Sequence, residues 1–197
     1  MVQNRDKMIV VFEGIDGSGK DTQIELLRKY LSFEYFKYPT KNYQILRDYL
    51  DKKISLEKKA SFLLFLSDIA NEQKKLENAK KSSKLVVVDR YVYSTIAYEL
   101  DELGYEKSKK IVNEIDYVQP DLVILLDIDE KEAQKRKYKQ KQPDRYESDG
   151  DYLKKVREKF IKLANEKFHA KKWVVLDASL SPQEINEKIR NEIAKLL

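Results

Sequence analysis

The chain has 197 residues, of which 42% are hydrophobic and 37% are charged. This balance predicts one globular domain, spanning residues 1–197, with a heavily charged surface, and it excludes a disordered chain. The 39 Lys and Arg residues outnumber the 34 Asp and Glu residues and leave a net charge of +5, which favours anionic partners such as phosphate compounds or nucleic acid.

The chain contains no cysteine, so disulfides and cysteine-based metal or redox chemistry are excluded. Its single histidine, His169, cannot form a metal cluster alone, and a Ser-His-Asp triad is disfavoured because its members would have to be placed together. The apolar run near the N-terminus is too short for a signal peptide, and no stretch approaches the ~18 apolar residues of a membrane span. We therefore expect a soluble, cytoplasmic protein with no membrane partner.

Short apolar runs predict the strands of a parallel sheet. The runs are continuous rather than alternating, as in strands that are covered by helices on both faces. They are residues 8–13, 33–38, 84–89, 121–127 and 172–177, of which the second is the weakest and is ended by Pro39. Charged segments with helical patterns separate them, so the sequence predicts a three-layer α/β/α fold with a five-stranded parallel sheet.

Two helical segments are predicted in more detail. Ser181, Pro182 and Glu184 combine a capping serine, a first-turn proline and a capping-box glutamate, and therefore predict the start of the last helix. Residues 56–81 contain neither glycine nor proline, which predicts one long helix with residues 61–66 as its most buried part.

The stretch GIDGSGKDT at residues 14–22 follows the first predicted strand and precedes a helical pattern. In this context its glycines and lysine predict a phosphate-binding loop, whose backbone N–H groups and helix N-terminus receive phosphate oxygens. Lys20 would bridge the β- and γ-phosphates of ATP. The residues expected to hold ATP are Gly14, Ile15, Asp16, Gly17, Ser18, Gly19, Lys20, Asp21 and Thr22.

Asp21 stands where this motif normally has a hydroxyl that touches Mg²⁺. A carboxylate is also a hard oxygen ligand, and negative charge is favoured in the first turn of a helix. One hypothesis makes Asp21 a ligand of Mg²⁺, directly or through water, so that ATP binding depends strongly on the metal. In the other, Asp21 points away and Thr22 or water fills the position.

A second group of polar residues follows the strand at residues 84–89. Asp89 and Arg90 come at its carboxyl end, where ligands bind in open α/β sheets. Arg90, Ser94 and Tyr98 recur every four residues and so share one face of the predicted helix. This spacing predicts a polar wall for a ligand, and a purely structural ion pair is the alternative.

Six sequence blocks stand in the order and approximate spacing of the thymidylate kinases, and the chain resembles that family from residue 10 to about residue 177. The blocks are FEGIDGSGKDTQ (12–23), YPTK (38–41), LLF (63–65), DRYVYSTIAY (89–98), PDLVILLD (120–127) and DRYE (144–147). The resemblance implies a homodimeric P-loop enzyme with a mobile lid. Its reaction would transfer the γ-phosphate of ATP to dTMP, giving dTDP and ADP for dTTP synthesis.

The resemblance also implies roles for single residues. Asp16 would hold the sugar 3′-hydroxyl, Phe65 would stack on thymine, and Tyr98 would disfavour a ribose 2′-hydroxyl. Arg90 would lie between the donor and acceptor phosphates, and Asp89 near Mg²⁺ together with Asp21. The residues expected to bind the acceptor are Asp16, Tyr38, Lys41, Phe65, Ile69, Arg90, Ser94 and Tyr98.

The chain departs from the family pattern near the acceptor. Lys41 stands where many members carry arginine, and a lysine can neutralise a phosphate but cannot grip it with two parallel hydrogen bonds. Ile69 stands where the family usually has an arginine that contacts the base, which puts strict thymine selection in doubt. The connection after Pro39 is also shorter.

Residues 131–150 predict a small basic lid. Its lysines fit a solvated helix face, with a nucleic-acid patch as a less favoured reading. Family members without an arginine in the phosphate loop place one in the lid. Because Gly17 or Ser18 occupies that loop position here, we expect Arg145, together with Arg136, to supply the group. The residues expected to act in catalysis are thus Lys20, Arg90, Arg136 and Arg145.

Other functions stay open at this point. The chain could phosphorylate another nucleotide, such as dUMP, or a deoxynucleoside. A P-loop ATPase or GTPase that switches partners is a further alternative, although the sequence has no guanine-reading N-K-x-D segment. A nucleic-acid-binding protein would depend on the lid lysines alone.

Overall fold

The computed structural model describes residues 7–99, 103–138 and 150–197. Its strands form one parallel sheet in the order β2-β3-β1-β4-β5. They are β1 (Met8–Glu13), β2 (Glu34–Lys37), β3 (Leu85–Asp89), β4 (Leu122–Asp127) and β5 (Trp173–Asp177). The predicted five-stranded parallel sheet is therefore confirmed.

Helices connect the strands throughout the described part of the chain. They are α1 (Lys20–Arg28), α2 (Gln44–Leu50), α3 (Lys58–Asn71), α4 (Gln73–Ser82), α5 (Val92–Tyr98), α6 (Tyr105–Ile115), α7 (Glu130–Tyr138), α8 (Gly150–Asn165) and α9 (Pro182–Ala194). Among the described residues, none of these helices is both long enough and apolar enough to cross a membrane.

The central strands lie in the core, and their carboxyl ends meet at one edge of the sheet. Every residue of β1 and β3 is buried, as expected for strands between two helical layers. Phe12 pairs with Asp89, and Glu13 pairs with Leu125, so the ends of β1, β3 and β4 lie side by side. This register places the loop after β1 beside the first residues after β3.

The start of α9 matches its prediction. The Ser181 hydroxyl accepts a hydrogen bond from the Glu184 backbone N–H, and the Glu184 carboxylate accepts one from the Ser181 backbone N–H. Ile185, Ile189 and Ile193 are buried and form the apolar stripe of this helix. The capping box and the stripe together explain why the helix begins here and which face it buries.

The prediction of one helix over residues 56–81 is wrong, because the helix is interrupted at Glu72. The Gln73 side-chain amide donates to the Ile69 carbonyl (2.9 Å) and accepts from the Val118 backbone N–H (2.8 Å). The local bond to Ile69 and the tertiary bond to Val118 together stabilise the break without glycine or proline. Residues 61–66 are also not uniformly buried, since Leu63 on α3 is 54% exposed.

The predicted lid is described in part. Its first half is α7, and α8 begins at its last residue. Residues 139–149, which include Arg145, lie outside the described residues.

Candidate active site

The glycine loop between β1 and α1 surrounds the side chain of Lys20. Lys20 is buried, and its ammonium donates to the Gly14 carbonyl (2.9 Å) and the Ile15 carbonyl (3.1 Å). Burial and the nearby charge of Arg90 together lower the pKa of Lys20 to about 8, against the attraction of the surrounding carboxylates. An anionic phosphate would stabilise the charged form of Lys20, so this loop favours an anionic ligand.

Gly17 lets the loop lie directly against α7. Its φ of +84° is in the left-handed region, and a Cβ at this position would lie 2.3 Å from the Ala133 carbonyl oxygen. A larger residue would have to displace the backbone of α7. The phosphate loop and the first helix of the predicted lid are therefore in contact.

A cleft of about 580 Å³ opens beside this loop. It brings together most of the residues predicted to bind ATP or to act on its phosphates. They are Asp16, Gly17, Ser18, Gly19, Lys20, Asp21, Thr22, Asp89, Arg90 and Arg136. We call this space the donor cleft.

A second cavity, of about 130 Å³, also has Arg90 in its lining. It contains nearly all of the residues predicted to bind the acceptor, namely Asp16, Tyr38, Phe65, Ile69, Arg90, Ser94 and Tyr98. We call this space the acceptor pocket. It shares Asp16, Tyr38, Pro39 and Arg90 with the donor cleft.

Arg90 is held at the boundary of the two spaces by several contacts. Its guanidinium pairs with Asp16 at 2.6 Å and donates to the Ser94 hydroxyl at 3.0 Å, while the Tyr98 hydroxyl donates to the other Asp16 oxygen at 2.9 Å. Burial alone would lower the pKa of Arg90, but Asp16 and the other neighbouring acids raise it well above its usual value. Arg90 also has a φ of +65°, a conformation that non-glycine residues seldom adopt.

Glu13, the last residue of β1, positions the start of α5. Its buried carboxylate accepts hydrogen bonds from the Tyr91 N–H (2.7 Å), the Ser94 N–H (3.2 Å) and the Ser94 hydroxyl (2.7 Å). Burial raises the pKa of Glu13 to about 7, against the lowering effect of Arg90 and these hydrogen bonds. The carboxylate thus joins the central strand to the helix that carries the acceptor residues.

The predicted metal ligands, Asp21 and Asp89, lie close together with Lys37 between them. The Lys37 ammonium is 2.8 Å from one oxygen of each carboxylate. Burial would raise the pKa of Asp21, but the hydrogen bond and the charge of Lys37 hold it below its usual value. Lys37 is not among the predicted site residues, because its position depends on how the edge strand β2 pairs with β3.

These carboxylates fit a Mg²⁺ ion that is shared with phosphates. Oδ1 of Asp89 is buried and has no hydrogen-bond partner among the residues that the structure describes. Within that part of the chain, no group of three or more acidic, histidine or cysteine residues could hold a metal alone. Mg²⁺ typically uses one or two carboxylates together with substrate phosphates and water, which matches this donor set.

The other predicted site residues differ in their relation to the two spaces. Lys41 is exposed and lines neither the donor cleft nor the acceptor pocket. Gly14 and Ile15 form the back of the phosphate loop, where their carbonyls hold Lys20. Arg136 lines the donor cleft and donates to the Ala178 carbonyl at 3.0 Å.

The chain is similar to known proteins over most of its length. The family model for thymidylate kinase matches residues 12–189. A probable thymidylate kinase of Methanocaldococcus jannaschii is 37% identical over 190 residues, covering 95% of this chain and 94% of that protein. A thymidylate kinase of Thermoanaerobacter sp. is 36% identical over 202 residues, with 95% and 98% coverage. The solved structure of thymidylate kinase from Candida albicans has the same fold, with a TM-score of 0.76 at 23% identity over 96% of this chain and 92% of that one.

The parallel sheet and the phosphate loop that follows its central strand define a P-loop kinase. Within that class, the chain belongs to the thymidylate kinase family. It is an enzyme of the nucleoside monophosphate kinase type.

Proposed function

We propose that the protein transfers the γ-phosphate of ATP to dTMP. The observation that carries the proposal is the position of Arg90, which lines both the donor cleft and the acceptor pocket. A phosphate of each nucleotide can therefore approach the same guanidinium. A phosphate oxygen of dTMP would form a bond to the γ-phosphorus while the bond to the β-γ bridging oxygen breaks, giving dTDP and ADP.

The site needs positive charge more than it needs a base. A phosphate monoester with a second pKa of about 6 is already almost fully ionised at neutral pH, so its attacking oxygen has no proton to lose. The main obstacle is the repulsion between two anions, which fixed cations and precise positioning overcome. Lys20, Arg90 and Arg136 supply these cations in the donor cleft. Lys41 and Arg145 belong to this proposal as further cations, Lys41 for the acceptor phosphate and Arg145 for the donor phosphates.

Magnesium belongs to the proposal as an ion bound by Asp89, with Asp21 close by. When bound, Mg²⁺ neutralises charge on the donor phosphates. The chain's own contribution is the pair of carboxylates at the edge of the cleft and the unpartnered Asp89 oxygen described above.

The acceptor pocket supports a pyrimidine monophosphate. Phe65 offers an aromatic face, and Asp16 and Tyr98 offer polar groups to a sugar. Ile69 lines the same pocket and is buried, so it contributes apolar surface rather than a donor to the base. The relatives carry the name thymidylate kinase, which favours dTMP over dUMP, a deoxynucleoside or a partner-switching NTPase.

We also propose a cytoplasmic homodimer. The homodimer follows from the family resemblance, and the 54% exposed Leu63 in the middle of α3 is compatible with an interface between copies. Sedimentation of the purified protein tests the assembly, and a mass of one chain at micromolar concentration would contradict it. The cytoplasmic location rests on the water-soluble nucleotides that the proposed reaction uses.

A panel of acceptors tests the reaction. The protein is incubated with Mg·ATP and with dTMP, dUMP, dCMP, dGMP or thymidine, and ADP release is followed together with product identification. We expect fast, acceptor-dependent ADP release with dTMP and formation of dTDP. Equal ADP release with and without any acceptor would contradict the proposal and indicate an ATPase.

A further inference from the structure

Lys37 occupies the space between the two carboxylates that the proposed metal would use. Residues 37 and 89 are direct partners in the pairing of β2 with β3, and Asp21 is in the first turn of α1. The Lys37 ammonium lies 2.8 Å from Oδ1 of Asp21 and 2.8 Å from Oδ2 of Asp89. The two carboxylate oxygens are thus no farther apart than twice that distance, with a cation already between them.

A divalent ion bound by both carboxylates needs the same space. Mg²⁺ lies only about 2.1 Å from its oxygen ligands, so an ion between Asp21 and Asp89 would lie very close to the Lys37 ammonium if the lysine stayed. Two positive charges at such a separation repel strongly, even when the surroundings are partly solvated. Lys37 and a divalent ion are therefore alternative occupants of the space between Asp21 and Asp89.

The burial of the three side chains shows which of them can move. Asp89 is only 1% exposed, whereas the side chains of Lys37 and Asp21 are 51% and 79% exposed. Asp89 is also fixed by the Tyr35 hydroxyl, which donates to its Oδ2 at 3.2 Å. Lys37 can leave toward solvent or phosphate while Asp89 stays in place.

We propose that Lys37 is a resident cation that keeps Asp21 and Asp89 from binding a divalent metal ion before the nucleotide arrives. The Asp21–Lys37 ion pair explains how the phosphate loop accommodates an aspartate directly after Lys20. The lysine balances the added negative charge when no metal is bound. This inference rests on the proposed function and adds an order of binding to it. Lys37 occupies the two carboxylates first, and the metal ion replaces it when the nucleotide binds.

Binding of Mn²⁺ in the absence of nucleotide tests the inference directly, because free Mn²⁺ is counted by electron paramagnetic resonance. We expect weak binding by the wild type and binding at least about tenfold tighter by Lys37→Gln, since the competing charge is gone. Lys37→Arg retains a cation and should resemble the wild type. Lys29→Gln, an exposed substitution at the end of α1, is the matched control and should change nothing.

Two results would overturn the inference. The first is unchanged Mn²⁺ affinity in a folded Lys37→Gln protein, or in Lys37→Met if the first variant does not fold. The second is a gain that persists in the double variant Asp21→Asn/Lys37→Gln, because the ion would then bind elsewhere. No nucleotide or turnover is involved, so failure here is separate from failure of the kinase reaction, which the acceptor panel reports.

Discussion

The Arg90 guanidinium and the Asp16 carboxylate form an ion pair of 2.6 Å at the boundary between the donor cleft and the acceptor pocket. The arginine follows β3 and the aspartate lies in the loop after β1, and these strands are neighbours in the sheet. The pair therefore fixes the position of the one guanidinium that both spaces share among the described residues.

We predict that Arg90→Met lowers kcat by about 10³ and changes ATP affinity far less, because the arginine acts on charge that develops during transfer. Steady-state kinetics and calorimetric titration of ATP give the two quantities separately. Arg28→Met, on the exposed side of α1, is the control and should retain full activity. Weaker ATP binding with an intact kcat would contradict the assignment.

Glu13 predicts a specific dependence of stability on pH. Burial raises its pKa to about 7, above the value of 4.5 for an exposed glutamate. The folded state therefore binds the proton more tightly than the unfolded state, so this group's contribution is fully present below about pH 4.5 and is lost as pH rises through 7. Glu13→Gln mimics the protonated form at every pH.

The free energy of unfolding of wild type relative to Glu13→Gln should consequently fall between pH 5 and pH 8, in the window set by about 4.5 and about 7. Urea denaturation at a series of pH values measures the difference. A difference that stays flat, or that grows in favour of the wild type, would show that the carboxylate is charged throughout.

Asp68 on α3 holds the segment that leads to Lys41. It is buried and accepts hydrogen bonds from the Thr40 backbone N–H (2.6 Å) and the Thr40 hydroxyl (2.5 Å). We predict that Asp68→Ala lowers the free energy of unfolding by roughly 1–3 kcal/mol, because it leaves a backbone donor without its partner. The KM for dTMP should rise as well if Lys41 reaches the acceptor phosphate. Ser67→Ala, one residue away and exposed, is the control for both measurements.

The Tyr38 hydroxyl is buried beside the acceptor pocket and has no hydrogen-bond partner among the described residues. Buried polar groups normally have partners, so a bound nucleotide is expected to supply one. We predict that Tyr38→Phe weakens dTMP binding roughly 3- to 10-fold. Calorimetry with dTMP gives the affinity, and Tyr43→Phe, which removes an exposed hydroxyl nearby, should have no effect.

An abasic acceptor distinguishes contact with the base from a general loosening of the pocket. Binding of 2-deoxyribose 5-phosphate should be the same in wild type and Tyr38→Phe if the hydroxyl contacts thymine. If Tyr38→Phe lowers the affinity for dTMP and for the sugar phosphate equally, the hydroxyl has a structural role instead.

Most of the fold could be predicted because its signals are local. The runs that became β1, β3 and β4 are continuous and apolar, and the last helix carries its own capping box. The break at Glu72 had no such signal, since it depends on bonds from Gln73 to groups that are distant in sequence.

In the site, too, the features with local sequence signals were predictable and those that depend on tertiary contacts were not. The phosphate loop is a contiguous motif, and Arg90, Ser94 and Tyr98 recur at helical spacing, so their grouping was predictable. The position of Lys37 was not, because it depends on how the edge strand β2 pairs with β3. The burial that shifts the pKa of Glu13 likewise depends on packing between separate elements.

We expect one site to hold the triphosphate of ATP and the phosphate of dTMP within reach of Arg90. Paramagnetic relaxation measures this most directly: the ³¹P signal of dTMP is recorded with the protein and the Mn²⁺ complex of the non-transferable β,γ-methylene analogue of ATP. We predict strong relaxation of the dTMP phosphorus that disappears when diamagnetic Mg²⁺ replaces Mn²⁺. A dTMP signal that is bound yet unaffected by the Mn²⁺ nucleotide would contradict it.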